Sequence, residues 1–335
     1  MKPLIDPVSK ETLKKELTKD KLIRYTRKGD NELYEITAAD SPNVMREIGR
    51  LRELTFRDAG GGTGEEIDID RYDTDPDNPY RQLIVWNPNE CEIIGGYRYI
   101  YGKGLDVSDL ATAELFNFSD GFIKDYMPHM IELGRSFIQP NYQGTKMARK
   151  GLFALDNLWD GLGALIMKYS DCRYFFGKVT MYRKYNVQAR NMLLNFMHKY
   201  FSDPDRMVYP ISPIDIDAGN PLYSEIFDGL DYQEAYKRLS HEIKEKGEHI
   251  PPLVNSYMNL SATMKVFGTA INEKFGGVEE TAILVTIPDI FPDKLDRYTS
   301  PLAEWSQRLK YRWWKVASTI KKRRSSRKAQ QPLSE

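Results

Sequence analysis

An antiparallel hairpin in the first third of the chain constrains the fold most strongly. Residues 81–86 and 92–101 are rich in Ile, Val, Tyr and Trp, which are residues that strands favour. An Asn-Pro-Asn turn separates the two segments and prevents one continuous strand. The chain is therefore expected to build a sheet that includes an antiparallel pair.

Strands and helices alternate after this hairpin. Strand patterns at 130–138 and 174–181 are followed by helical patterns at 144–168 and 187–200, respectively. A meander followed by this alternation is typical of an α/β (α+β) fold, in which helices flank a mixed central sheet. No internal repeat is visible.

A helix is expected before the hairpin. Ser41 and Pro42 are the residue types of an N-cap and a first helical position, and Gly60 is the type that ends a helix. Arg52 and Phe56 are four residues apart on this helix, so they are neighbours on its surface.

The second half of the chain contains a predicted helical insertion. Residues 202–250 are polar at first and have a helical pattern from about residue 233. A helical pattern at 253–267 and an apolar strand at 281–287 follow. The chain is thereby expected to return to the main sheet after the insertion.

We divide the chain into an N-terminal arm (1–24), a main domain (25–295) and a C-terminal tail (296–335). Between residues 308 and 328 the tail has ten basic residues and no acidic one. Its apolar residues recur at helical spacing; they are Leu302, Trp305, Leu309, Trp313, Val316 and Ile320. A basic amphipathic helix of this kind fits an anionic membrane surface, and docking on the protein core is the alternative.

Composition restricts the location and the partners. The 48 Lys and Arg residues balance the 48 Asp and Glu residues, which argues against a nucleic-acid partner. The two cysteines are too few for a disulfide framework, and no stretch approaches the ~18 apolar residues of a membrane-spanning helix. The first residues also lack the apolar core of a signal peptide. We expect a cytoplasmic protein, associated peripherally with the inner face of the cytoplasmic membrane through its tail.

An acidic loop lies between the first helix and the hairpin. Asp73, Asp75 and Asp77 alternate as in a calcium loop, but Asn78 replaces the turn glycine and Ile84 occupies the position of the bidentate glutamate. A solvated loop without metal is the favoured interpretation.

The strand at 130–138 carries two charged side chains, Glu132 and Arg135, in an otherwise apolar sequence. Buried charges are costly unless they are paired or functional, so this strand is the first candidate for a site. Strict alternation would place the two charges on opposite faces. A bulge at Gly134 would bring both onto one face and would open backbone N–H groups to a ligand.

Glu132-Leu133-Gly134-Arg135, followed by Pro140 and Tyr142-Gln143, resembles the fourth strand and next helix of GNAT-superfamily acyltransferases. It is most similar to the branch that N-acylates amino acids to make ornithine or glycine lipids, which is related to acyl-homoserine-lactone synthases. The likeness covers about residues 25–290 apart from the insertion. Four other motifs occur in the same order; they are Arg52-x-x-x-Phe56, Asp70-x-x-Asp73, Gly96-Tyr97-Arg98 and Ile250-Pro251-Pro252-Leu253.

The resemblance implies transfer of a long fatty acyl chain, with or without a 3-hydroxyl group, to the α-amine of glycine or ornithine in lipid biosynthesis. Glu132 is then the general base, and a purely structural pairing of Glu132 with Arg135 is the alternative. Arg135 and Arg52 hold the acceptor carboxylate or organise Asp70 and Asp73. The expected substrate-binding residues are Phe56, Arg98, Gly134, Ser136 and Phe137, with oxyanion donors on the main chain at Gly134.

One departure from the family pattern indicates the acyl donor. The phosphate-binding loop corresponds to Gln143, Gly144, Thr145, Lys146 and Arg149, with lysine in place of the first glycine of the pyrophosphate cradle. The phosphopantetheine arm of acyl carrier protein has one phosphate and no pyrophosphate, so acyl-ACP is the expected co-substrate, without a bound cofactor. Basic residues that could steer an acidic carrier lie between 141 and 190; they are Lys146, Arg149, Lys150, Lys168, Arg173, Lys178, Arg183, Lys184 and Arg190.

Two other functions remain open. An acyl-homoserine-lactone synthase would share the same charged residues, whereas a membrane-binding protein could keep the fold without turnover. The Ile-Pro-Pro segment and the basic tail favour the lipid branch. The expected partners are acyl carrier protein, the amino acid, an anionic membrane surface and a second, O-acylating transferase.

Overall fold

The computed structural model describes residues 1–143, 153–216, 220, 223 and 225–299. The phosphate-loop residues Gly144, Thr145, Lys146 and Arg149 and the amphipathic tail lie outside the described residues. Among the helices of the described part, none is long and apolar enough to cross a bilayer.

An eight-stranded sheet forms the centre of the protein. Its strands are β1 (Leu22–Tyr25), β2 (Glu32–Ile36), β3 (Arg81–Asn87), β4 (Glu92–Tyr101), β6 (Met130–Ile138), β7 (Tyr174–Met181), β9 (Lys265–Asn272) and β10 (Val278–Thr286). Strands β5 (Phe116–Phe118) and β8 (Val208–Pro210) form a separate pair. The order across the main sheet is β1-β2-β3-β4-β6-β7-β10-β9, and neighbouring strands are antiparallel except for β6 and β7, which are parallel.

Helices cover both faces of the sheet. One face packs against α1 (Lys10–Glu16), α2 (Pro42–Ala59), α3 (Arg71–Thr74) and α4 (Asp120–Asp125). The other packs against α5 (Ala154–Lys168), α6 (Val187–Tyr200), α7 (Tyr232–Glu245) and α8 (Pro252–Met258). The last helix, α9 (Pro292–Thr299), lies beside α5. This mixed sheet between helical layers confirms the predicted fold.

Several predicted elements are confirmed. Strands β3 and β4 form the expected antiparallel hairpin. Helix α2 begins with Pro42 after Ser41 and ends at Gly60, whose φ of 100° is the left-handed conformation that glycine adopts easily. Strands β6 and β7 and helix α6 have the predicted bounds.

The predicted helix at 253–267 is wrong. Helix α8 ends at Met258, and Val266 and Phe267 belong to edge strand β9. Long-range pairing captures this segment, because Ser261 bridges to Ile290 and the N–H of Val266 donates to the carbonyl of Phe201. The helical spacing of apolar residues alone could not reveal these partners.

The N-terminal arm and the insertion are both integrated into the fold. Leu13 of α1 is buried against α2, and residues 22–25 supply edge strand β1. Within the insertion, β8 pairs with β5 and α7 packs on α6.

Candidate active site

The central parallel strands separate where the charged segment of β6 begins. The pairing of β6 with β7 runs from Met130 to Leu133, whose register partner is Gly177. On the other side of β6, Arg135 and Ser136 together stand opposite Tyr97 of β4, which is a β-bulge. Beyond Leu133 the edge of β6 that faces β7 therefore has no paired strand, whereas the opposite edge pairs with β4 again at Phe137 and Ile138.

The bulge lies one residue later than predicted. Arg135 adopts the left-handed conformation, with φ of 52°, whereas Gly134 does not have positive φ. The extra residue reverses the alternation, so Phe137 faces α2 and Ile138 faces the α5 side. Glu132 and Arg135 both reach the α2 side, as predicted.

A cavity of about 270 Å³ opens at this separation. Its walls combine charged groups with apolar side chains of β7, α8 and β10. A pocket of about 20 Å³, which shares Leu133, Ser136, Leu253 and Tyr257 with the cavity, continues towards Trp159 on α5. The site therefore has a polar part and an apolar extension.

Glu132 lies in the wall of the cavity and is 2% exposed. Its Oε1 accepts hydrogen bonds from the backbone N–H of Thr112 at 2.9 Å and from the hydroxyl of Thr112 at 2.8 Å. Its Oε2 has no hydrogen-bond partner among the described residues. Burial raises the pKa of the Glu132 carboxyl, and the charge of Lys178 partly opposes this rise. One carboxylate oxygen is thus fixed by Thr112, and the other has hydrogen-bonding capacity that the described residues leave unused.

A buried ion pair supports the acidic loop. Arg52 is fully buried, and its Nη1 contacts both carboxylate oxygens of Asp73 at 3.2 and 3.1 Å. Gln82 bridges the pair, because its Oε1 accepts from Arg52 Nη2 at 2.5 Å and its Nε2 donates to Asp73 at 2.9 Å. Arg52 therefore organises Asp73 and does not reach the cavity.

Two more arginines connect the loop to the cavity. Nη1 of Arg98 donates to Asp70 at 2.6 Å and to Asp73 at 3.1 Å. Although burial opposes ionisation, Arg98 holds the pKa of Asp70 well below its ordinary value. Nε of Arg135 lies 2.8 Å from Asp68, so Arg135 pairs with this aspartate and not with Glu132. The predicted structural alternative, a Glu132–Arg135 pair, is wrong.

A second ion pair lines the cavity on the neighbouring strands. Nζ of Lys178 on β7 lies 3.2 Å from Oε2 of Glu280 on β10, which also accepts from the amide of Asn272 at 3.2 Å. Burial acts against ionisation of Glu280, yet Lys178 and Arg135 lower the pKa of this carboxyl.

The structure brings most of the predicted site residues together. Phe56, Arg98, Glu132, Gly134, Arg135 and Ser136 line the cavity. Phe137 is instead buried in the core against α2. The exposed side chain of Gln143 donates to the carbonyl of Ile138. Asp70 and Asp73 lie behind the cavity wall, bound to Arg98.

Sequence reasoning did not assign five polar residues to this site, and it gave one of them, Lys178, a role in steering the carrier. They are Asp68, Gln82, Thr112, Lys178 and Glu280. A charged residue inside an apolar strand was the signal that singled out Glu132, and the same signal is present at Lys178 and Glu280. Among the described residues, no group of three His, Cys, Asp or Glu side chains is arranged to hold a metal ion.

Comparison with known proteins identifies the family of this chain. Residues 51–151 match the acetyltransferase (GNAT) domain family. A glycine N(alpha)-acyltransferase of Phocaeicola vulgatus is 52% identical over 303 residues, which cover 89% of this chain and 93% of that protein. A glycine N(alpha)-acyltransferase of Bacteroides thetaiotaomicron is 52% identical over 309 residues, which cover 91% of each chain.

A solved CoA-dependent acyl-homoserine lactone synthase, BjaI, has a TM-score of 0.35 and 12% identity, covering 81% of this chain and 89% of that one. This likeness is too weak to support an inference about substrate. The long matches at 52% identity are decisive for the family. The chain belongs to the GNAT N-acyltransferase family that includes the two glycine N(alpha)-acyltransferases.

Proposed function

We propose that this protein transfers a long fatty acyl chain from acyl carrier protein to the α-amine of glycine. The observation that carries the proposal is the carboxylate of Glu132 in the wall of the cavity where β6 and β7 separate. Thr112 binds its Oε1, whereas its Oε2 has no hydrogen-bond partner among the described residues. The names of the two relatives support glycine as the acceptor.

The cavity also favours glycine over ornithine. The side-chain ammonium of ornithine would need a carboxylate of its own in the site. Glu280 is already held by Lys178 and Asn272, and Glu132 is needed at the α-amine. Glycine requires no such partner, because it has no side chain.

Glu132 is the proposed general base. An α-ammonium group cannot attack a thioester, so a proton must leave the nitrogen before or during attack. Oε2 of Glu132 accepts this first proton, which passes on to solvent, and the neutral amine bonds to the carbonyl carbon. As the carbon–sulfur bond breaks, the nitrogen loses its second proton, and the phosphopantetheine thiolate takes up that proton and leaves as the thiol. Because burial raises the pKa of Glu132, its carboxylate is a stronger base than an exposed glutamate.

The bulge provides the remaining elements of the mechanism. Backbone N–H groups of residues 134–136 lie beyond the last pairing with β7, and they are the proposed donors to the oxyanion. Arg135 is the proposed partner of the acceptor carboxylate, since it lines the cavity. Arg52 does not bind the acceptor in this proposal; it holds Asp73 in place, because the two side chains form a fully buried ion pair.

The apolar side of the cavity is the proposed binding site for the acyl chain. Leu133, Phe175, Ile283 and Val285 line it, and the narrow pocket at Trp159 extends it. Aliphatic walls of this kind favour a long hydrocarbon by ~25 cal/mol per Å² of apolar surface removed from water.

Carrier docking is proposed on fewer basic residues than the sequence indicates. Lys178 and Arg190 are engaged by Glu280 and Glu279, and Lys168 pairs with Glu35. Arg183 and Lys184 remain exposed on the surface. These two residues form the proposed docking patch for acidic acyl carrier protein, and Lys146 and Arg149, which lie outside the described residues, stay candidates from the sequence.

The product is proposed to be a precursor of an acyl-amino-acid lipid. The basic tail would hold the enzyme on the inner face of the cytoplasmic membrane, where a second, O-acylating transferase could take the product. An N-acylated glycine keeps a free carboxylate, so it is amphiphilic and partitions to such a surface.

Mass spectrometry of the product tests the proposal. The full chain is incubated with glycine, ornithine or serine, and with acyl-ACP or acyl-CoA of the same chain length. We expect N-acylglycine from acyl-ACP as the dominant product. Preference for ornithine or for acyl-CoA would overturn the acceptor or the donor, and an acyl-homoserine lactone in cells expressing the protein would favour the signal-synthase alternative.

A further inference from the structure

A row of alternating charges crosses the sheet beneath the cavity. Glu132 on β6 is in register with Phe176 on β7, so Lys178, two residues later, lies on the same face. Glu280 on β10 is diagonal to Lys178, because Lys178 pairs with Ala282. All three charged side chains line the cavity. The order across the strands is therefore carboxylate, ammonium, carboxylate.

The neighbouring arginine cluster balances its own charge. Arg52, Arg98 and Arg135 are paired with three aspartates, Asp68, Asp70 and Asp73. The three arginines and three aspartates of this cluster carry equal numbers of opposite charges, so the cluster as a whole is close to neutral. Lys178 is the remaining cation of the cavity wall in the described chain, and Glu280 is its partner.

We infer that Lys178 is a positioning residue for the proposed base: it keeps Glu132 ionised in the cavity, and Glu280 fixes the ammonium group where it can do so. This inference rests on the proposed function of Glu132. Lys178 also donates to the carbonyl of Ala111 at 3.4 Å, next to Thr112, which holds Glu132. The ammonium group is thus held from two sides near the base.

The other groups around Glu132 do not replace this charge. Tyr72 of α3 and Tyr80, which precedes β3, are neutral phenols whose pKa values are raised by burial. Tyr182, after β7, is likewise neutral, because burial raises its pKa to about 12. Arg98 on β4 and Arg135 on β6 are bound to the aspartates. Arg98 still favours ionisation of Glu132, but less than Lys178 does, so Lys178 is the largest favourable charge on this carboxylate and Glu280 is its partner.

Two substitutions should move the pH dependence in opposite directions. In the wild type, the acidic limb of kcat/KM for glycine reports ionisation of the base in the free enzyme. Lys178→Met removes the positive charge, so the limb should move to higher pH by about one unit. Glu280→Gln removes the negative charge that pairs with Lys178, so the ammonium group of Lys178 stabilises the Glu132 carboxylate more strongly. The limb should therefore move to lower pH.

Further variants protect the test against misfolding. Breaking a buried pair destabilises a protein more than replacing both partners, so the double variant Lys178→Met/Glu280→Gln is measured as well. It should fold and show a limb above that of the wild type, since Lys178 is nearer to Glu132 than Glu280 is along the strand order. Lys178→Arg should restore the wild-type limb.

Matched controls separate this effect from general charge changes. Lys103→Met removes an exposed lysine that pairs with Asp171, and Glu279→Gln removes the carboxylate adjacent to Glu280 that pairs with Arg190. Neither should move the limb. An unmoved limb in folded Lys178→Met would overturn the inference alone. If Glu132→Gln showed the same pH–rate profile as the wild type, the acidic limb would not report Glu132, and the proposed function itself would be overturned.

Discussion

Thr112 donates both its backbone N–H and its hydroxyl to the same oxygen of Glu132, at 2.9 and 2.8 Å. Both groups are buried, so solvent does not compete for either bond. The double contact fixes the carboxylate through Oε1 and leaves Oε2 without a hydrogen-bond partner among the described residues. Thr112 lies in the 111–114 turn, 20 residues before Glu132 in the sequence, and it joins the base to this turn.

The hydrogen bond from the Thr112 hydroxyl should lower the pKa of Glu132. Thr112→Val removes one hydrogen bond to the ionised carboxylate, which raises the pKa of Glu132 and moves the acidic limb of kcat/KM upwards. The loss of stability should be about 1 kcal/mol in urea unfolding. Thr112→Ser keeps the hydroxyl and should restore the limb. A limb that is identical in the Val and Ser variants would contradict this role.

The Arg52–Asp73 pair should be essential for stability. Arg52→Met leaves Asp73 buried with one arginine fewer, and we expect a loss of ~3–5 kcal/mol in the free energy of unfolding. Arg46→Met is the control on the same helix, because the Arg46 side chain is exposed. It should cost less than ~1 kcal/mol. Equal losses in the free energy of unfolding would contradict the claim that the buried Arg52–Asp73 pair is essential for stability.

Glu132→Gln should stabilise the protein at neutral pH. Burial raises the folded-state pKa of Glu132, so the carboxyl favours folding at low pH, and this contribution is lost as pH rises through the folded-state value. Glutamine cannot ionise and does not incur this loss. Thermal midpoints measured between pH 4 and 8 should show a gain that grows with pH. A variant less stable than the wild type at pH 8 would contradict a raised folded-state pKa for Glu132.

The length of the narrow pocket should set the acyl-chain preference. Trp159 packs against Tyr257, with ring centroids 5.6 Å apart, at the apolar end of the site. Trp159→Ala should shift the optimum of kcat/KM to longer acyl chains. Trp86→Ala is a matched control, since Trp86 is buried on the opposite face of the sheet. If both variants lose stability without a change in chain preference, the pocket is not the acyl site.

Local patterns were sufficient for the elements that carry the base. The Asn-Pro-Asn turn and the alternation of β6 are short-range signals, and both were interpreted correctly. The Pro42 and Gly60 signals located α2 for the same reason. Gly134 indicated a bulge, but the sequence could not show that Arg135 would itself adopt positive φ.

Contacts between distant strands could not be derived in this way. The Lys178–Glu280 pair depends on the register of β10 against β7, about a hundred residues later in the chain. The pairing of Arg135 with Asp68 depends likewise on how the acidic loop folds over β6. Phe137 was assigned to the site from the family resemblance, and only the packing of α2 over β6 shows that its side chain enters the core instead.

The pH–rate profile of Glu132→Gln tests the central claim most directly. At neutral pH and with glycine as the acceptor, turnover should fall by ~10²–10⁴, because the variant keeps the size of the side chain but not its basicity. Turnover should recover in part as the pH approaches the pKa of the free amine, where solvent supplies the neutral nucleophile. A folded variant with unchanged turnover, or with a deficit that is the same at every pH, would contradict the assignment of Glu132 as the general base.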